Sequence, residues 1–168
     1  MRVSCVVFDV GGTITCAGID PRLGQKRVDP AAAQMIRDLH AQQLTVLIAS
    51  NTTPEQTRWP ALQEAGIADL ITCALLSHAL GVAKPDPRFY ALVLAAAACP
   101  AGQVLFVGNN IDHDVRIPLW MGMNAALVRP DGIRRDDHGR VPPAAHVIGH
   151  VTELPALLGL PHPPRSQT

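Results

Sequence analysis

Lysine is almost missing from this 168-residue chain: Lys26 and Lys84 are the only two, and arginine supplies the rest of a positive charge that fourteen acidic side chains cancel to a formal net of zero. A balanced field offers no general attraction for nucleic acid or an anionic membrane, so any anion has to be bound locally. No apolar stretch reaches the ~18 uninterrupted residues that suggest a membrane span, and the start, Met1-Arg2-Val3-Ser4-Cys5, runs into a strand pattern without cleavage-site grammar. The expectation is a soluble, cytoplasmic protein. Cys5, Cys16, Cys73 and Cys99 are scattered and form no C-x-x-C pair, which disfavours a zinc site and a disulfide framework and leaves buried or idle thiols. There is no internal repeat. The chain also lacks G-x-G-x-x-G after its first apolar run and G-x-x-x-x-G-K-[ST] throughout, which weakens the case for a nucleotide-binding domain.

What is present is enough apolar sequence, 48% of residues, for one core of ordinary size. A single domain over residues 1–160 is expected, with a frayed tail over 161–168. The run from Val3 to Phe8 is continuous, apolar and β-branched, and ends in Asp9-Val10-Gly11-Gly12, as suits a buried strand entering a sharp turn. Residues 16–29 read as a loop, and Asp29-Pro30 as the N-cap and first turn of a helix to about Gln42. Further strands are expected at 44–49, 70–75, 104–107, 125–128 and 146–148. Further helices are expected from Pro54 to about Ala65, from Asp86-Pro87 to before Pro100, from Asp112 to Trp120 and over 151–158. This alternation implies an α/β fold with a Rossmann-like, doubly wound, mostly parallel sheet covered on both faces.

In such a sheet ligands bind beyond the carboxyl ends of the strands, so polar residues there carry the chemistry. Three strand ends offer them: Asp9 with Thr13, Ser50 with Asn51, and Asn109 through Asp114. Lys84 joins them from the loop Gly81-Val82-Ala83-Lys84-Pro85-Asp86-Pro87. Each has a plainer reading. Lys84 would be a solvated loop charge, Ser50 a turn residue or helix N-cap, and Asp112 and Asp114 carboxylates favoured by a helix N-terminus. That plainer reading is preferred for Asp112 alone.

Four short segments in order, Asp9-Val10-Gly11-Gly12-Thr13, Ser50-Asn51, Lys84-Pro85-Asp86-Pro87 and Gly108-Asn109-Asn110-Ile111-Asp112-His113-Asp114, resemble the motifs of the haloacid dehalogenase superfamily over nearly the whole chain, to about residue 158. The resemblance implies a phosphatase-like hydrolase. Asp9 would attack phosphorus and form an aspartyl-phosphate, with Thr13, Ser50 and Lys84 completing the catalytic set. Ser50, Asn51 and Lys84 would hold the phosphoryl oxygens. Mg2+ would be held by Asp9, the Gly11 carbonyl, Asn109 and Asp114, oxygen donors that suit a hard cation.

Two positions depart from the family pattern. Its phosphatases carry a second Asp, the general acid and base, where this chain has Gly11, and the loss removes a catalyst worth ~10² to 10⁴ in rate. A plainer account of Gly11 is that glycine eases a strained turn. The family also places an acidic residue where Asn109 stands, so metal affinity should be weaker unless Asp114, or else Asp112, compensates. His78 and His113 are candidate substitute proton donors that read more simply as surface or capping groups.

The expectation is therefore a Mg2+-dependent phosphatase that is slow or restricted to leaving groups departing without protonation. Its rival is a catalytically silent protein of the same fold that binds a phosphorylated ligand or a protein partner. Neither inter-motif interval leaves room for a cap domain. The open site would admit a phosphorylated small molecule or a larger phosphorylated substrate, or be completed by a second copy of the chain in a homo-oligomer; no nucleic-acid or membrane partner is expected. Residues 16–28 and 130–144 are the segments placed to form a partial lid.

Overall fold

Every residue of Cys5–Phe8 is buried, and this strand, β1, sits at the centre of a six-stranded parallel sheet with the order β3-β2-β1-β4-β5-β6. The structure is a computed structural model that describes residues 2–161. In chain order the elements are β1 Cys5–Phe8, α1 Pro30–Ala41, β2 Thr45–Ser50, α2 Trp59–Glu64, β3 Cys73–Leu76, α3 Ser77–Leu80, α4 Pro87–Ala97, β4 Val104–Gly108, α5 Ile117–Trp120, β5 Asn124–Val128, β6 His146–Ile148 and α6 Leu154–Leu157. Side chains alternate across a strand, so β1 serves both faces. Val6 and Phe8 pack with Ala32, Ile36 and Leu39 of α1 and Leu154 of α6. Cys5 and Val7 pack with Phe89, Tyr90 and Val93 of α4 on the other side. Two-sided burial is why the strand sequence is apolar without alternation.

The caps read from the sequence are in place. Asp29 accepts hydrogen bonds from the Ala31 and Ala32 amides, and Asp86 from the Arg88 amide, with proline at the head of each helix. The helix expected from Pro54 is a correction. Only Trp59–Glu64 is helical, because Arg58 before it has φ 66° and ψ −28°, and Pro60 has no N–H to continue a ladder backwards. Ser50 correspondingly caps no helix. The helix expected over 112–120 is split into a wide π-type turn over Ile111–Arg116 and α5. Pro118 cannot donate the i→i−4 bond to Asp114, which accounts for the change in winding. The last helix likewise divides into a 3₁₀ turn, Val151–Glu153, and α6.

The register places the chemistry. Phe8 is level with Ile48 of β2 on one side and Val107 of β4 on the other, so the chain leaves the sheet at Asp9, Ser50 and Asn109 at about one height. From β1 the order runs outward in both directions, and the crevice at such a reversal is where ligands bind in open parallel sheets. Residues 15–28 fold back on themselves through two antiparallel bridges, Thr15 with Val28 and Asp20 with Gln25. Arg22 and Arg27 tie this flap to Glu64 of α2 at 3.0 and 3.1 Å. The tail expected from residue 161 lies, beyond that residue, outside those described. Among the described residues no helix is long and apolar enough to cross a membrane.

Candidate active site

Lys84 is not a solvated loop charge. Its ammonium donates to Asp9 Oδ1 at 2.9 Å and to Asp114 Oδ1 at 2.7 Å, with only 2% of its side chain exposed, and it stands 5.5 Å from the centroid of the Phe106 ring. Burial by itself would push this lysine down, but the two carboxylates outweigh it and hold it above its ordinary value. Burial pushes Asp114 up, and the Lys84 charge pulls it only part of the way back. Removing one member of such a buried ion cluster leaves an uncompensated charge and costs about 3–5 kcal/mol.

Each member is held from behind. The Asn51 side chain forms a reciprocal pair with the Lys84 backbone, its Nδ2 donating to the Lys84 carbonyl at 2.8 Å and its Oδ1 accepting from the Lys84 amide at 2.9 Å. Asn51 therefore aims the lysine, which leaves its second Nδ2 N–H and its main-chain amide for an anion. Asp114 faces inward because Gly108 has no Cβ, which would overlap the Asp114 carboxyl, and its second oxygen accepts from the Asn110 amide at 3.0 Å. Asn110 caps the turn with its own side chain, taking the Asp112 and His113 amides. Asp112 points to the surface, where it pairs with Arg116 and Arg140 at 3.3 and 2.8 Å. Among the described residues the second oxygen of Asp9 has only the Thr13 hydroxyl, at 3.3 Å.

Seven of the eight residues singled out from the sequence line one open cavity of about 180 Å³: Asp9, Gly11, Ser50, Asn51, Lys84, Asn109 and Asp114. Thr13 is buried behind Asp9. Asn110, His113 and Arg58 complete the lining. Arg58 was not legible as a site residue, since nothing in Gln56-Thr57-Arg58-Trp59-Pro60 sets it apart from other surface arginines. Its Nε donates to Ser50 Oγ and its Nη2 to the Asn51 carbonyl, both at 3.3 Å. Burial pushes this guanidinium down, and Asp9 pulls it part of the way back. His78 lies outside the cavity, with its Nδ1 2.8 Å from the Thr52 hydroxyl. A second buried ion pair, Arg129 with Asp137 at 2.6 Å, braces the site, because Arg129 also donates to the Asn109 carbonyl. The guanidinium holds the Asp137 carboxyl below its ordinary range.

The oxygen set suits a hard cation, though a weakly charged one. Asp9, Asp114, the Gly11 carbonyl and the Asn109 side chain converge on the cavity, while among the described residues no three His, Cys, Asp or Glu side chains gather to hold a metal. Asn109 Nδ2 lies 3.1 Å from the Gly11 oxygen. Turning that amide over would set two acceptors face to face, an arrangement that a cation between them stabilises.

A family model for haloacid dehalogenase-like hydrolases matches residues 17–118, more than half of the chain. The chain belongs to this family. The match begins after Asp9, Gly11 and Thr13, so the placement of those three rests on the geometry above. A phosphoserine phosphatase of Thermus thermophilus is 30% identical over 108 residues, 64% of this chain and 43% of its own length. A phosphatase of Mycobacterium tuberculosis is 31% identical over 107 residues, 64% of this chain and 49% of its own. The chain thus spans less than half the length of these two haloacid dehalogenase-like relatives. Among solved structures, the magnesium-bound HAD-hydrolase YfnB of Bacillus subtilis superposes with a TM-score of 0.78 over 95% of this chain and 100% of its own, at 14% identity, a likeness of fold.

Proposed function

We propose that this chain is a phosphoric-monoester hydrolase that works through Asp9. The observation that carries the reading is the bridge from Lys84 to Asp9 and Asp114 at the mouth of the β1–β4 crevice. Lys84 fixes one oxygen of Asp9 and leaves the other, with a long hydrogen bond from Thr13, to attack phosphorus in line with the leaving group. The new Asp9–phosphorus bond forms as the phosphorus–oxygen bond to the leaving group breaks. Water then cleaves the aspartyl-phosphate and returns the carboxylate. Ser50, Lys84 and main-chain amides of the Asn51 loop would hold the phosphoryl oxygens. Mg2+, held by Asp9, Asp114, the Gly11 carbonyl and Asn109, would supply charge neutralisation there.

With no side chain at Gly11, no carboxyl stands by to protonate the departing oxygen, so acyl and aryl phosphates are the favoured substrates. Phosphatase relatives at 30 and 31% identity support the reaction class. Asp9→Asn should abolish turnover of p-nitrophenyl phosphate while keeping a cooperative thermal transition, lowered by the loss of one carboxylate from the Lys84 cluster. Unchanged turnover would exclude the mechanism. The rival reading, a silent holder of phosphorylated ligands, is supported by the neutral residues at 11 and 109. It is the outcome if a screen of acyl, aryl and alkyl phosphates, with and without Mg2+, finds binding and no product.

A further inference from the structure

Four charged side chains line the cavity, and Arg58 has the most donors to spare, three N–H groups against one on Lys84. Asp9 and Asp114 share Lys84, whose buried ammonium is bound to both. Arg58 has no carboxylate partner among the described residues. Its hydrogen bonds run to two neutral oxygens, Ser50 Oγ and the Asn51 carbonyl, and use two of five guanidinium N–H groups. It reaches them from a left-handed backbone, φ 66°, that costs a non-glycine residue about 1–2 kcal/mol and that no side-chain cap on α2 explains.

Compared with the family pattern, in which positions 11 and 109 are acidic, the cavity has two carboxylates fewer. Arg58 adds a guanidinium, so the four charged side chains sum to zero. A dianion entering this cavity meets a neutral field with a forked, half-buried donor at its edge.

We propose that Arg58 is the anion anchor of this site: with the Ser50 hydroxyl it grips the oxygens of a tetrahedral oxyanion of the phosphate class, tightly enough that no divalent cation is needed for binding. The inference rests on the hydrolase reading only for where the phosphoryl group sits, and its test does not depend on turnover. Isothermal titration calorimetry with inorganic phosphate in EDTA should show binding to the wild type, with a gain of no more than about threefold on adding Mg2+. Arg58→Gly, which relieves the positive φ and so protects the fold, should weaken phosphate by about tenfold or more. Arg58→Lys, which keeps the charge and loses the fork, should fall between them. Asp9→Asn should bind phosphate in EDTA at least as well as the wild type, since it removes a facing negative charge.

Absence of binding in EDTA, or equal affinity in Arg58→Gly and wild type, overturns the proposal. The two readings separate cleanly. Lost turnover in Asp9→Asn with unaltered phosphate affinity in Arg58→Gly sinks the anchor and leaves the hydrolase standing. Weakened phosphate in Arg58→Gly beside undiminished turnover in Asp9→Asn does the reverse.

Discussion

A Cβ built on Gly11 meets no atom within 4 Å, and the residue keeps an ordinary negative φ; the positive φ of this turn, 72°, belongs to Gly12, where a Cβ would collide with the Asn109 amide. Neither backbone nor packing therefore requires glycine at position 11, and the idea that it relieves a strained turn holds for its neighbour instead. Gly11→Asp should fold without penalty and place a carboxyl at the cavity rim. If protonation of the leaving group limits the rate, the substitution should raise kcat/KM for alkyl phosphates by about 10²-fold or more, and much less for aryl and acyl phosphates. An equal gain on all three classes, or none, would show that another step is limiting. The same scale explains why Lys84 could be singled out by its scarcity, whereas Arg58, one arginine among many, could not.

At the scale of elements, β1 carries its polar chemistry just past its end and a titratable group inside it. Burial pushes the Cys5 thiol from 9.0 up to about 12, with the nearby Cys99 adding to the shift. A folded-state pKa raised in this way contributes stability in full below pH 9, and that contribution is lost as pH rises through about 12. The slope is at most ~1.4 kcal/mol per pH unit. Tyr90, also pushed up from 10.0 by burial, adds to the decline above that value. Urea midpoints measured from pH 8 to 11 should fall for the wild type, and Cys5→Ala should flatten most of the limb between pH 9 and 10. A parallel fall in the variant would place the titrating group elsewhere. Caps and apolar runs made most of these elements legible from sequence. Among those missed, the stretch before α2 turns on a backbone angle at Arg58 that no local propensity encodes, and the four-residue α3 is too short to leave a periodic signal.

For the molecule as a whole, the segments expected to act as a partial lid do not serve as one in this structure. Residues 16–28 form a flap tied to α2, the 130–144 loop is anchored through Arg129 and Asp137, and none of their residues lines the cavity. On the hydrolase reading proposed above, a cavity that the described residues leave uncovered should not select against bulk beyond the phosphoryl group. Free phosphotyrosine and a phosphotyrosine peptide share one leaving group, so their kcat/KM values should agree within about tenfold, or ~1.4 kcal/mol. A loss of about 100-fold on the peptide would mean that something closes over the site.

The sequence by itself determined the parallel α/β architecture and marked Asp9, Ser50, Asn51, Asn109 and Asp114 as polar strand ends, because buried strands, Asp-Pro helix starts and polar strand ends are written in neighbouring residues; Lys84 stood out as a rare lysine in a loop, and Gly11 joined the set only through the family resemblance. Tertiary structure alone decided how those residues work together. Lys84 is 75 residues from Asp9 and 30 from Asp114, and Arg58 reaches back to Ser50 through a left-handed turn. The burial of a charge, the company it keeps and the empty space beside Gly11 depend on which strand ends the sheet brings to one height, and no local pattern records that.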